Sequence, residues 1–124
     1  MAVYLLVTAG GAIGAGTRYA LSSWAHSVLG LAFPWGTLLV NVAGSFVIGL
    51  VMVLSLDRGV VSPEVRVLLT TGFCGGLTTF STFSYETLAL LRSGQWLWAG
   101  ANTGLNLLLC FGATALGMLA ARYV

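Results

Sequence analysis

The sequence has 124 residues, of which 58% are hydrophobic and 6% charged, and its mean hydropathy is +0.98. A water-soluble domain carries about 25% charged residues, so these charges are too few to cover a surface exposed to water. The net charge of +2 is too small to favour nucleic-acid binding. We therefore predict an integral membrane protein surrounded by lipid.

The first half of the chain contains two segments long enough to span a membrane, which takes roughly 20 residues. Residues 2–29 form the first, which includes Arg18 and the glycine-rich stretch GGAIGAG. Residues 36–56 form the second, directly after Pro34 and Trp35. Proline is typical of a helix start and tryptophan of a membrane interface.

The second half contains two more such segments, at residues 63–91 and 95–121. Pro63 begins the third, and Trp96 and Trp98 lie at the start of the fourth. The connections between the four segments are short. We predict an all-α membrane protein with four transmembrane helices in a single domain covering residues 1–124.

Arginines are spread almost evenly over the predicted loops, and the chain has no lysine. Because Lys and Arg in short loops set the orientation of a membrane protein, we expect insertion in both orientations. Four helices are also few to line a pore. Both points favour an antiparallel, dual-topology homodimer, in which a second copy supplies the inverted repeat of larger transporters.

Small and polar residues recur within the segments. Gly-x-x-x-Gly pairs at 10/14, 72/76 and 100/104 predict close helix contacts. Thr37 and Asn41 lie one turn apart on the second segment, as do Asn102 and Asn106 on the fourth. Any one of these polar side chains could simply form a hydrogen bond to a neighbouring helix. Two such polar stripes beside a polar third segment favour a polar pathway instead.

The third segment contains GGLTTFSTFSYE at residues 75–86. Its glycines precede two threonines, so we predict a break in this helix at residues 75–79. A broken helix is tolerated at membrane depth where it lines a cavity, and its carbonyls can bind Na⁺. The alternative is a kink that only aids packing.

Phe80 and Phe83 are three residues apart and share a helix face. Phenyl rings have a positive edge, so ring edges beside the hydroxyls of Ser81 and Thr82 would suit a small anion. Glu86, one turn further, would repel that anion unless it is protonated, moves aside or lies at the mouth. The residues alone leave an anion channel, a cation channel and a proton-coupled exporter open.

Three stretches together resemble the small bacterial fluoride channel family, Fluc/CrcB: GGAIGAGTRY (10–19), GTLLVNVAGSFVIG (36–49) and GFCGGLTTFSTFSYE (72–86). The resemblance covers essentially the whole chain. It implies a passive, selective channel that exports fluoride across the bacterial cytoplasmic (inner) membrane. It also implies an antiparallel dimer with two pores.

The resemblance further implies roles for individual residues. The fluoride pathway would comprise Asn41, Phe80, Ser81, Thr82, Phe83 and Asn106. A structural Na⁺ at the dimer interface would be held by the backbone carbonyls of Gly75 and Thr78. Further pathway or vestibule positions would be Arg18, Thr37, Glu86 and Asn102.

The main alternative is a proton-coupled exporter of the small multidrug type, which is also a four-helix, dual-topology dimer. Its essential glutamate lies in the first span, whereas here the first span contains Arg18 and the acid is Glu86 in the third. A passive assembly subunit would explain the glycines but not the hydroxyls and paired phenylalanines. We predict no enzymatic activity, because the sequence contains no nucleophile–base pair.

Overall fold

A computed structural model describes all 124 residues and contains helices but no strands. Three helices are long and continuous, whereas the third predicted segment is divided into four pieces. The elements are α1 (Ala2–Leu29), α2 (Trp35–Leu56), α3 (Pro63–Val67), the π segment (Leu68–Cys74), α4 (Gly75–Leu77), α5 (Phe80–Arg92) and α6 (Trp96–Tyr123). The all-helical fold class is therefore confirmed, with bounds close to those predicted.

By length and hydropathy, α2 and α6 are the helices that could each cross a membrane, with mean hydropathies of 2.3 and 1.8 over their most apolar windows. They also form the most extensive helix pair. Gly49 faces the backbone carbonyl of Thr114, and Gly117 faces that of Phe46, so a side chain at either glycine would collide with the partner helix. The Thr114 hydroxyl donates a hydrogen bond of 3.2 Å to the carbonyl of Ser45 across this interface.

Helix α1 packs against the third segment through the first two glycine pairs. A Cβ on Gly10 would lie 2.5 Å from the carbonyl oxygen of Leu68, and one on Gly14 would meet the carbonyl of Phe73. A Cβ on Gly76 would likewise collide with the carbonyl oxygen of Gly11. These contacts explain why the positions have no side chain, and they confirm the close approach predicted for the 10/14 and 72/76 pairs.

The pair at Gly100 and Gly104 behaves differently, because neither residue has another element within 4 Å of its Cβ position. The prediction of a close helix contact at this pair is therefore wrong within one chain. The two glycines lie on a face of α6 that none of the other helices covers.

The third segment begins regularly and then loses its α-helical pattern. Ser62 caps α3 by accepting a hydrogen bond from the amide of Val65, and Pro63 occupies the first turn. A π segment follows, and α4 ends at Leu77. Thr78 and Thr79 are extended, with ψ angles of 158° and 118°. The break therefore lies at these two threonines, inside the predicted range.

Candidate ion pathway

The side chain of Asn41 on α2 forms hydrogen bonds to the backbone at the break in the third segment. Its carboxamide oxygen accepts a 2.8 Å hydrogen bond from the amide of Thr79, and its nitrogen donates one of 3.2 Å to the Thr79 carbonyl. The side chain thus satisfies both backbone groups of an extended residue. An unpaired buried backbone group costs free energy, so this contact allows the helix to stop within the protein.

A row of side-chain amides continues from Asn41 to α6 and back to α5. Asn41 donates to the carboxamide oxygen of Asn106 at 3.0 Å, and Asn106 donates to the corresponding oxygen of Asn102 at 3.0 Å. Asn102 then donates to the hydroxyl of Thr87 at 2.9 Å. We call these residues, together with Thr79, the amide ladder. Asn102 and Asn106 are buried, at 0% and 6% exposure.

A cavity of about 270 Å³ lies beside the break and is called the break cavity. Three residues of the amide ladder contribute to its wall: Asn41, Thr79 and Asn106. The rest of the lining is mainly apolar: Ser45, Ile48, Thr78, Phe80, Phe83, Leu107, Cys110 and Phe111. A mostly apolar wall with a few converging polar groups is typical of a ligand site.

Phe80 and Phe83 both line the break cavity and contact each other, as their spacing predicted. Their ring centroids are 5.5 Å apart and the ring planes are inclined by 54°. This tilted arrangement turns the edge of one ring toward the other. Phe80 is 77% exposed, so much of its ring faces outward from the chain.

Thr79 is the centre of a small group of hydroxyls at the start of α5. It caps the helix by accepting from the amide of Thr82 at 3.1 Å, and its hydroxyl donates to that of Thr82 at 3.0 Å. The Ser81 hydroxyl lies 3.3 Å from the same oxygen. Ser81 and Thr82 are exposed and lie outside the lining of the break cavity.

The break also changes the bonding of the two carbonyls predicted to hold Na⁺. In a continuous helix the carbonyl of Gly75 would accept from the amide of Thr79, and that of Thr78 from the amide of Thr82. Here those amides donate to Asn41 and to the Thr79 hydroxyl instead. Both carbonyls have therefore lost their usual donor, which fits ligands for a hard cation.

A second cavity, of about 370 Å³, lies where α1 joins α2 and α5 joins α6. We call it the mouth cavity. Glu86 lines it and accepts a 2.9 Å hydrogen bond from the Thr37 hydroxyl. His26 lines the same space, whereas Arg18 is half-buried on α1 and lines neither cavity.

Sequence reasoning predicted the two asparagine stripes but missed three residues. Thr79 was noticed only as part of the break, although a threonine before a helical run is a common N-cap signal. Thr87, which ends the ladder, lies one turn after Phe83 on α5 and could have been found by that spacing. His26 has no sequence pattern to mark it, because only the fold brings it to the wall beside Glu86.

Comparison with known proteins places this arrangement in a family. Residues 5–118 match the family described as "CrcB-like protein, Camphor Resistance (CrcB)". The chain belongs to the CrcB family. The match covers nearly the whole sequence, including both cavities and the amide ladder.

Several curated relatives are similar over almost their full length, and each of those cited here is called "Fluoride-specific ion channel FluC". The protein from Geotalea daltonii is 54% identical over 92% of both chains, and that from Geotalea uraniireducens is 48% identical over 98% of both. The protein from Thermus thermophilus is 51% identical over 95% of this chain and 87% of its own. These comparisons give no support to a proton-coupled exporter.

Proposed function

We infer that this CrcB-family chain is a fluoride channel and not an enzyme. This conclusion rests on sequence identity: the chain is 54% and 48% identical to two relatives named as fluoride-specific ion channels, over nearly the full length of both chains. The break cavity supports it independently, because two side-chain amides and two phenyl rings line it in an apolar setting. Fluoride would pass down its own gradient.

The proposed fluoride pathway comprises six residues on α2, α5 and α6: Asn41, Phe80, Ser81, Thr82, Phe83 and Asn106. Both amide hydrogens of Asn41 already have acceptors, the Thr79 carbonyl and Asn106. A fluoride ion would therefore take the place of one of these acceptors. Conduction requires binding weak enough to release the ion, and exchange between neutral partners meets that need better than a fixed positive charge would.

The exposed face of α5 supports the association of two chains, which we propose to be antiparallel. The side chains of Ser81 and Thr82 and most of the ring of Phe80 lie on the surface of a single chain. Hydroxyls in contact with lipid are costly, and a second copy over this face would shield them. We propose two pores per dimer, with four spans per chain, in the bacterial cytoplasmic membrane and with net export of fluoride.

We also propose a structural Na⁺ at the dimer interface, bound by the carbonyls of Gly75 and Thr78. The diversion of their helical donors to Asn41 and Thr79 supports this site. The positive ion would take the place of the backbone amide donors that these carbonyl oxygens lose at the break. The side chain of Thr78 is engaged elsewhere, since its hydroxyl donates to the Cys74 carbonyl at 2.9 Å.

The function is tested by ion efflux from liposomes that contain the purified protein and valinomycin, loaded with either fluoride or chloride. We expect rapid fluoride release and no matching chloride release. Phe80→Ile and Phe83→Ile should each lower the fluoride rate about fivefold, because each removes an aromatic contact worth about 1 kcal/mol.

Phe46→Ile is the matched control, since Phe46 lies on α2 and does not line the break cavity. Its fluoride rate should equal that of the unchanged chain. Equal chloride and fluoride release would overturn the selectivity. Undiminished flux in both Phe80→Ile and Phe83→Ile would remove these rings from the pathway.

A further inference from the structure

The mouth cavity contains an acid and a base that the proposed pathway does not use together. Its titratable residues are His26 from α1 and Tyr85 and Glu86 from α5. The loop between α5 and α6 contributes only the uncharged Ser93 and Gln95, and α2 contributes the hydroxyl of Thr37 at Glu86. Arg92 lies close in sequence but does not line the cavity.

Glu86 presents an incompletely bonded carboxylate at this position. One oxygen accepts from Thr37, whereas the other is buried and has no hydrogen-bond partner. It is the only buried side-chain oxygen or nitrogen in the chain without one. A carboxylate in this state needs a positive charge or a proton nearby, and an uncompensated one would repel an approaching anion.

His26 is the only histidine in the chain, and it lies in the last turn of α1. His26 and Glu86 come from different helices and line the same cavity. Imidazole changes its charge between about pH 5 and pH 8. His26 is thus the one side chain of the cavity lining that can provide a positive charge.

We propose that His26 is the anion-attracting residue of the mouth cavity and that its protonation offsets Glu86, so that fluoride flux rises as pH falls. The proposal rests on the inferred fluoride channel. The protonated imidazole raises the local fluoride concentration at the mouth, while the neutral imidazole leaves the carboxylate uncompensated. At fluoride concentrations below saturation, we expect flux to rise about tenfold from pH 8 to pH 5, at the low end of electrostatic steering effects.

The test measures fluoride efflux from liposomes at several pH values between about pH 5 and pH 8, with the same pH on both sides. Protein-free liposomes at each pH give the leak of neutral HF, which is subtracted. His26→Gln should give low flux without the rise, and His26→Arg should give high flux at every pH. Rescue by a permanent cation is a result that a purely structural role for His26 would not produce.

Two further variants identify the titrating group. Glu86→Gln removes the acid and should retain a rise toward low pH. The double variant His26→Gln with Ser27→His moves the imidazole about 100° around α1, to a position outside the cavity lining, and should stay flat.

Each other outcome has a definite meaning. A rise that persists in His26→Gln but disappears in Glu86→Gln would assign the titration to the acid and overturn the proposal. Fluoride flux that is independent of pH in the unchanged chain would overturn it while leaving the channel intact. An absence of fluoride flux at every pH would instead reject the channel function, and this proposal with it.

Discussion

The α2–α6 pair and the interrupted third segment pack against their neighbours in different ways. The α2–α6 pair consists of continuous helices that approach through glycines, with Gly49 and Gly117 each against a backbone carbonyl of the other helix. The third segment is interrupted, and its extended residues depend on a side chain from another helix, Asn41. Close backbone contacts at glycines dominate the first region, whereas the second depends on a side chain that replaces backbone hydrogen bonds.

The difference shows how a short chain can combine a rigid frame with a polar site. The close glycine contacts give α2 and α6 a fixed separation. This fixes the distance between Asn41 and Asn106, which belong to those two helices. The break then brings backbone groups, hydroxyls and two phenyl rings close together.

The largest effect is expected from Asn41→Leu, which breaks the polar region. It leaves the amide and carbonyl of Thr79 without partners and should cost about 2–5 kcal/mol of stability. It should also abolish fluoride flux. Thermal unfolding in detergent, followed by circular dichroism, measures the first effect and liposome efflux the second.

Thr114→Val is the control for this change, because it removes a single hydrogen bond between α2 and α6. It should cost about 1 kcal/mol and preserve flux. If Asn41→Leu proved no more destabilising than Thr114→Val, the break would not depend on Asn41.

A smaller effect is expected in the apolar region from Gly49→Ala. The added methyl group would meet the carbonyl of Thr114 and should cost about 1–3 kcal/mol through overpacking. Gly112→Ala, on the same pair of helices but with nothing within 4 Å of its Cβ position, should cause no loss, since alanine favours a helix. Equal melting temperatures for the two variants would mean that the close glycine contact does not limit the packing.

The smallest effect is expected from removing sodium, which tests whether the carbonyls at the break bind Na⁺. Replacing Na⁺ by a large organic cation should lower dimer stability by about 1.4 kcal/mol per site if sodium was present at about ten times its Kd. Thr78→Ala should retain the response to sodium, because the proposed ligand is its backbone carbonyl. Identical melting curves with and without sodium would contradict the site.

Sequence reasoning predicted much of the fold because hydrophobic segments and turn signals are local. The helix bounds agree with the predicted segments, and the break was expected from Gly75 and Gly76 before two threonines. The asparagine stripes followed from one-turn spacing. The π segment at residues 68–74 was not predicted, because no local sequence pattern marks it; in the structure it packs against α1.

The partners within the site could not be predicted, because they depend on which helices meet. Asn41 was expected to donate to an ion, but in the structure it also replaces the backbone partners of Thr79. The contact between Thr37 and Glu86 joins residues 49 positions apart in the chain. Arg18, by contrast, lies away from both cavities, and its proposed vestibule role stays a prediction.

The central claim is that fluoride passes through the break cavity, and the two cysteines allow a direct test. Cys110 is only partly buried and lines that cavity, whereas Cys74 is 0% exposed. A small charged methanethiosulfonate should modify Cys110 alone, as counted by mass spectrometry, and should block fluoride efflux. Cys110→Ser should conduct and resist the reagent. Complete modification of Cys110 with undiminished efflux, or no modification at all, would contradict the account.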